Sequence, residues 1–145
     1  MRIKLIILSI ASILIVACST NPFTGRKQIT LLPESLLQQM SLVNYQEFLN
    51  TNHLVTQTDA KARMVSTVGR KIAGSVEKYL TDNGKADEAK QFDWVFNLVD
   101  DNIPNAWCMP GGKVVVYTGI LPFTKDKNGL ATVMGHEIAH AVAKH

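Results

Sequence analysis

Asn128-Gly129-Leu130-Ala131-Thr132-Val133-Met134-Gly135-His136-Glu137-Ile138-Ala139-His140-Ala141-Val142-Ala143-Lys144-His145 is the stretch from which the rest of the chain is best read. It holds His136-Glu137-Ile138-Ala139-His140, the H-E-x-x-H pattern of a helical zinc site. Ala, Leu, Val and Met surround the motif, no Pro interrupts it, and Asn128 is the expected cap at its start. On a helix His136 and His140 stand one turn apart on one face, so their imidazole nitrogens converge on one ion. Glu137 is rotated by one residue from that face, where it is placed to act as general base without being a ligand. The competing reading is an amphipathic helix whose two histidines are merely solvated or hydrogen-bonded. The length and apolar character of the helix favour the metal site.

A chain of 145 residues holds one domain at most. Its 46% hydrophobic and 7% aromatic content suit a globular core, although part of that share lies in the first seventeen residues. The net charge of +3 falls to +1 without Arg2 and Lys4. No basic patch remains, so no nucleic-acid partner is expected. Repeats and low-complexity tracts are absent from the sequence.

Arg2 and Lys4 form a short positive start, and Leu5 to Ala17 is apolar apart from Ser9 and Ser12. That run is short for a membrane span and right for a signal-peptide core, so residues 1–17 read as a signal peptide. It ends in Ile15-Val16-Ala17-Cys18, which resembles a bacterial lipobox. In such signals cleavage precedes the Cys and the new N-terminus is lipidated. The resemblance implies lipidation at Cys18, a membrane anchor, and a bacterial cell-envelope location facing the periplasm or the exterior; several acyl chains anchor stably where one does not. An ordinary secretory signal with an incidental Cys18 is the competing reading. A lipidated Cys18 leaves Cys108 as a lone thiol, read as core packing in an apolar strand.

Residues 18–32, with Pro22 and Gly25, read as a tether and turn. Residues 33–145 read as the domain itself. Pro33 opens a helix with an expected apolar stripe of Leu36, Leu37, Met40, Val43 and Phe48. The polar break at residues 50–57 contains His53, read as a surface residue. A second helix is expected over residues 59–80, with Val65, Val68, Ile72, Val76 and Tyr79 or Leu80 at helical spacing and Thr81-Asp82-Asn83-Gly84 as its stop. The period then changes to two. Phe92, Trp94, Phe96 and Leu98 alternate with Asp93, Val95, Asn97 and Val99, which predicts a strand. Residues 105–109 and 113–117 predict two strands joined through Pro110-Gly111-Gly112, the chemistry of a type II turn. Pro104 suits the start of an edge strand.

Three separated stretches resemble one family. Asn105-Ala106-Trp107-Cys108-Met109-Pro110-Gly111-Gly112-Lys113-Val114-Val115-Val116-Tyr117-Thr118-Gly119 resembles the strand-turn-strand before the active helix in zinc metalloendopeptidases of the CAAX-prenyl-protease/HtpX-like and mitochondrial OMA-type group. Gly135-His136-Glu137-Ile138-Ala139-His140-Ala141 resembles their metal helix, and Asn21-Pro22-Phe23-Thr24-Gly25 the segment after the lipidated Cys in their bacterial lipoprotein branch. The resemblance implies an α+β, zincin-like (gluzincin) domain: helices plus a small, mainly antiparallel sheet packed on the H-E-x-x-H helix. It implies one zinc ion per chain in the complete enzyme, His136 and His140 as ligands, and Glu137 as catalytic base. Asn105, Ala106, Trp107, Cys108 and Met109 would be the edge strand along which a protein or peptide substrate lies extended. Met109 stands where Leu is usual in the family and Cys108 where Ala is common, which alters the cleft.

The family's third zinc ligand is a Glu on a later helix, whereas this sequence stops at His145. A catalytic zinc site uses three protein ligands and an open position, so the chain is expected to be the N-terminal part of a protease domain, C-terminally incomplete. His145, at about 100° per residue, falls roughly opposite His136 and reads as a helix-terminal His set against the dipole. Ile138 and Val142 are expected on an apolar side left uncovered. Two functions compete: a lipid-anchored zinc metalloendopeptidase in envelope protein quality control, and a non-catalytic envelope lipoprotein using a protease-like scaffold as a binding module. Glu137 favours the first, and the missing third ligand favours the second.

Overall fold

The computed structural model describes residues 18–20, 27–29 and 33–143. The expected signal peptide, the segment from Asn21 to Arg26, and His145 lie outside those residues. At the N-terminus β1 (Cys18–Thr20) pairs antiparallel with β2 (Lys27–Ile29), Cys18 opposite Ile29. Two long helices follow, α1 (Glu34–Thr51) and α2 (Ala60–Asp82), then the short α3 (Ala86–Ala89). Three strands come next: β3 (Val95–Val99), β4 (Ala106–Met109) and β5 (Lys113–Tyr117). A 3-10 turn and the one-turn α4 (Leu121–Thr124) lead into α5 (Lys127–Val142), the motif helix. Among the described residues no helix is long and apolar enough to cross a membrane.

The strands form a sheet in the order β3-β5-β4. The hairpin is as the turn residues predict: Gly112 N–H donates to Met109 O at 3.1 Å, and Gly111 takes φ +83°, the left-handed position that a type II turn reserves for glycine. The architecture is α+β, but the sheet is mixed, because β3 lies parallel to β5 while β4 is antiparallel to it. The cause is the connection after β3, which crosses the end of β5 instead of turning back beside β3. It is fastened there by Gly119 N–H donating to Asp101 O at 2.8 Å and by Thr118 Oγ1, which accepts from Asp101 N–H at 3.0 Å. β4 therefore stands at one edge of the sheet. The far edge, on β3, is partly occupied by residues 53–55, whose Val55 N–H donates to Leu98 O at 2.9 Å.

One sheet face, with Phe96, Leu98, Ala106, Cys108, Val114 and Val116, packs on α2 and α5. Helix α2 is capped by Asp59, whose carboxylate accepts from Lys61 N–H at 2.7 Å. It buries Ala62, Val65, Val68, Ala73 and Leu80 at the spacing its sequence predicts. An added Cβ at Gly69 would sit 2.2 Å from Phe96 Cδ1, so the lack of a side chain lets helix and strand meet closely. Phe92, Trp94 and Phe96 stack on this face with interplanar angles of 8° and 2°.

The other face belongs to α1. Phe48 meets the Trp107 ring edge-on at 4.9 Å, and Tyr45 is buried beside Val99 and Val115. Asn97 Nδ2 donates to Tyr45 Oη at 2.6 Å, and Ser41 Oγ donates to Pro110 O at 3.0 Å. The expected stripe of α1 is thus corrected. Leu36, Met40 and Val43 are exposed, and Ser41 and Tyr45 turn to the sheet beside Phe48, the one expected residue that packs there on a ring. The helix has apolar residues on two sides, and the sheet's aromatic pair, Trp107 and Tyr117, engages the side that offers rings and hydrogen bonds.

Candidate metal centre and active site

The site begins with the way α5 is fixed. Its N-cap is Asp126, not Asn128: Asp126 Oδ1 accepts from Asn128 N–H at 2.8 Å and Gly129 N–H at 2.9 Å. A carboxylate satisfies both donors and adds a negative charge at the positive end of the helix dipole. Leu130, Met134, Ile138 and Val142 recur every fourth residue and are all buried against the sheet and α2. Ile138 and Val142, expected on an uncovered side, are 1% and 2% exposed. The reason is angular: Ile138 lies two residues from each His, about 200° around the helix. Burying it turns the imidazoles outward.

His136 and His140 are exposed, with ring centroids 4.5 Å apart and Nε2 atoms 3.0 Å apart. Two nitrogens bound to one tetrahedral zinc at the usual bond length lie about 3.3 Å apart, so the pair fits two positions of one ion. Glu137 is half-buried between the His face and the sheet side of the helix. Among the described residues no cluster of three His, Cys, Asp or Glu side chains able to hold a metal is present. Glu47 belongs to α1, on the opposite sheet face. His53 sits in the α1–α2 break, where its backbone O accepts from Asp100 N–H at 2.8 Å.

Helix α5 packs against β4, the edge strand. Tyr117 N–H donates to Asn105 O at 3.0 Å, and the register places Ala106 opposite Val116. In an antiparallel ladder the hydrogen-bonded and non-hydrogen-bonded pairs alternate. Asn105, Trp107 and Met109 therefore spend their backbone groups on β5, and Ala106 and Cys108 direct theirs to the open edge. The side chains divide in the same way. Ala106 and Cys108 face α5, whereas Trp107 and Met109 face α1.

Burial pushes the Cys108 thiol up to about 12, and the negative charge of Glu137 pushes in the same direction. Cys108 is thus a neutral thiol near the motif carboxylate, consistent with its reading as packing. Sequence reasoning did not single out Asp126. Its residue type was the available signal, since Asp and Asn are about equally good caps and stand two positions apart here.

A motif helix with convergent imidazoles, laid along an edge strand with unspent backbone groups, is the arrangement of a zincin-type metallopeptidase. Residues 68–145 match peptidase family M48, and the chain belongs to that family. The family's metallopeptidases are zinc-dependent. The chain is 32% identical over 127 residues to the human mitochondrial metalloendopeptidase OMA1, covering 86% of this chain and 23% of that protein. It is 52% identical over 52 residues to the mitochondrial metalloendopeptidase OMA1 of Schizosaccharomyces pombe, covering 36% of this chain and 15% of the relative. It is 36% identical over 50 residues to a β-barrel assembly-enhancing protease of Yersinia pestis, covering 34% of this chain and 10% of the relative. The chain thus spans less than a quarter of the length of each of these relatives.

Proposed function

We propose that the protein is a lipid-anchored, zinc-dependent endopeptidase that hydrolyses peptide bonds of bacterial envelope proteins in quality control. The observation that carries this reading is the 3.0 Å approach of the His136 and His140 Nε2 atoms, with Glu137 beside them and the open edge of β4 alongside. His136 and His140 would hold the zinc, and the family resemblance assigns the third ligand to a Glu on a later helix. Bound zinc supplies a Lewis acid that polarises a carbonyl and acidifies a water.

The chain's own residues supply the rest. The backbone groups of Ala106 and Cys108 pair with an extended substrate, which recognises any peptide main chain. Glu137 takes a proton from the attacking water as the new C–O bond forms. It returns that proton to the amide nitrogen as the C–N bond breaks. Cys18 carries the lipid that holds the protein at the membrane. The relatives' names, a metalloendopeptidase of mitochondria and a protease that enhances β-barrel assembly, support protein substrates.

In the zinc-loaded protein, His136→Ala and His140→Ala should each lose zinc. Glu137→Gln should retain one zinc per chain and lose casein hydrolysis by about 10²–10⁴-fold, the usual worth of a general base. Cleavage by Glu137→Gln at the parent's rate would remove Glu137 from the chemistry and favour the binding-module reading.

A further inference from the structure

Half of the exposed large apolar side chains among the described residues stand on α1: Leu36, Met40, Leu42 and Val43, with Val43 66% exposed. Leu36, Met40 and Val43 follow each other at helical spacing and form one stripe on the side away from Tyr45 and Phe48. From Ser35 to Gln46 the helix contains no charged residue, and the exposed Glu47, one turn beyond Val43, ends the stripe on its C-terminal side. A helix face left to water ordinarily carries Lys, Arg, Glu or Asp. This one has the composition of a face meant for a second apolar environment, since its first is already the sheet.

The position of Cys18 says which environment. Cys18 pairs with Ile29, which puts their Cα atoms about 5 Å apart. Ile29 precedes Glu34 by five residues, a reach of at most about 17 Å. Cys18 therefore lies within roughly 22 Å of the first turn of α1, less than the helix's own length of about 27 Å. The apolar run Leu5 to Ala17 immediately precedes it, and Arg26 and Lys27 lie between it and α1. Basic residues near an apolar helix in the sequence suit anionic headgroups.

We propose that α1 lies on the lipid surface through Leu36, Met40 and Val43, with the metal helix and β4 turned to the aqueous side. This rests on the lipid-anchor reading given above. The layer order gives it a functional consequence. Helix α1 covers one sheet face and α5 the other, so the cleft is held two layers from the membrane, on the order of 20 Å. Substrates would be extended segments that project from the bilayer, rather than segments within it.

The test uses the lipid-anchored protein carrying Cys108→Ala, labelled with an environment-sensitive fluorophore at Val43→Cys. A control carries the label at Lys71→Cys, exposed on α2. Both are reconstituted on phosphatidylethanolamine–phosphatidylglycerol vesicles containing nitroxide-bearing lipid, and the mass of the N-terminal peptide reports acylation of Cys18. The label at 43 should emit to the blue and be quenched at least about twofold more than the label at 71, because an interfacial helix sinks its apolar face to the acyl boundary. Water-like emission at 43 overturns the proposal. Blue-shifted emission without quenching overturns it too, because protein then covers the stripe. Quenching at 43 with an unacylated Cys18 removes the lipid anchor and leaves α1 on the membrane. Acylation without quenching does the reverse.

Discussion

The two faces of the three-stranded sheet are covered in different ways. On one, Val114 and Val116 meet Leu130, Met134 and Ile138, all with at most 1% exposure, and α2 closes the same core. On the other, a single helix rests on ring edges and two side-chain hydrogen bonds, those of Tyr45 and Ser41. The difference teaches where positional accuracy is needed. The imidazoles proposed to share one ion stand on a helix locked by four interdigitated side chains, and rigid packing beneath a site is what holds its geometry. Helix α1 holds no motif residue, and its packing is correspondingly thin.

The contrast is broken most directly by cavities. Met134→Ala should cost about 2–5 kcal/mol in urea unfolding, the range for emptying a fully buried site. Leu37→Ala, on half-buried α1, should cost clearly less; equal losses would erase the distinction between the faces. Gly69→Ala sharpens it next. The added methyl must displace the Phe96 ring, for which overpacking costs typically about 1–3 kcal/mol. Gly74→Ala on the same helix meets open space and should instead stabilise by up to about 1 kcal/mol.

These two faces also differ in how far the sequence exposes them. The motif helix, α2 and the hairpin were legible because each carries a local signal: apolar residues every fourth position, a cap and stop, and Pro-Gly-Gly between alternating strands. The shared face of His136 and His140 followed from spacing alone, and the edge position of β4 was suggested by Pro104. The buried side of α1 was not legible. Leu36, Met40 and Val43 make as good a stripe as Ser41 and Tyr45, Phe48 was read with the first set, and only the rings of Trp107 and Tyr117, far along the chain, choose between them. The parallel pairing of β3 with β5 was hidden for the same reason, since it depends on Thr118 and Gly119 fastening a crossing loop.

Cys108 tests the site face through pH. Its folded-state thiol is raised to about 12 by burial first and the charge of Glu137 second. A raised acid holds its proton in the folded state after the unfolded chain has lost it, so stability falls as pH rises through the unfolded value near 9 toward the folded one. The loss should reach about 1 kcal/mol by roughly pH 9.5. Tyr45, raised chiefly by burial, acts with the same sign but only at higher pH. Cys108→Ala should flatten the decline between about pH 8.5 and 9.5, ahead of the Tyr45 range. An unchanged slope would mean that the thiol reaches water, and that the face beneath Glu137 is not sealed.

The smallest effect is expected at Val43. In detergent-solubilised protein Val43→Ser removes apolar surface that folding does not bury against the described residues. The change in urea midpoint should correspond to no more than about 0.5 kcal/mol, as for surface positions generally. Phe48→Ala, five residues further on and about 140° around the helix, removes the ring that meets Trp107 edge-on and should cost several times as much. The pair isolates the two sides of one helix, with its length, caps and attachment to the sheet held constant. A loss at Val43 approaching that at Phe48 would place protein over the stripe in solution. Helix α1 would then lie between two packed layers instead of forming an outer one, and the contrast between the two sheet faces would rest on the sheet alone.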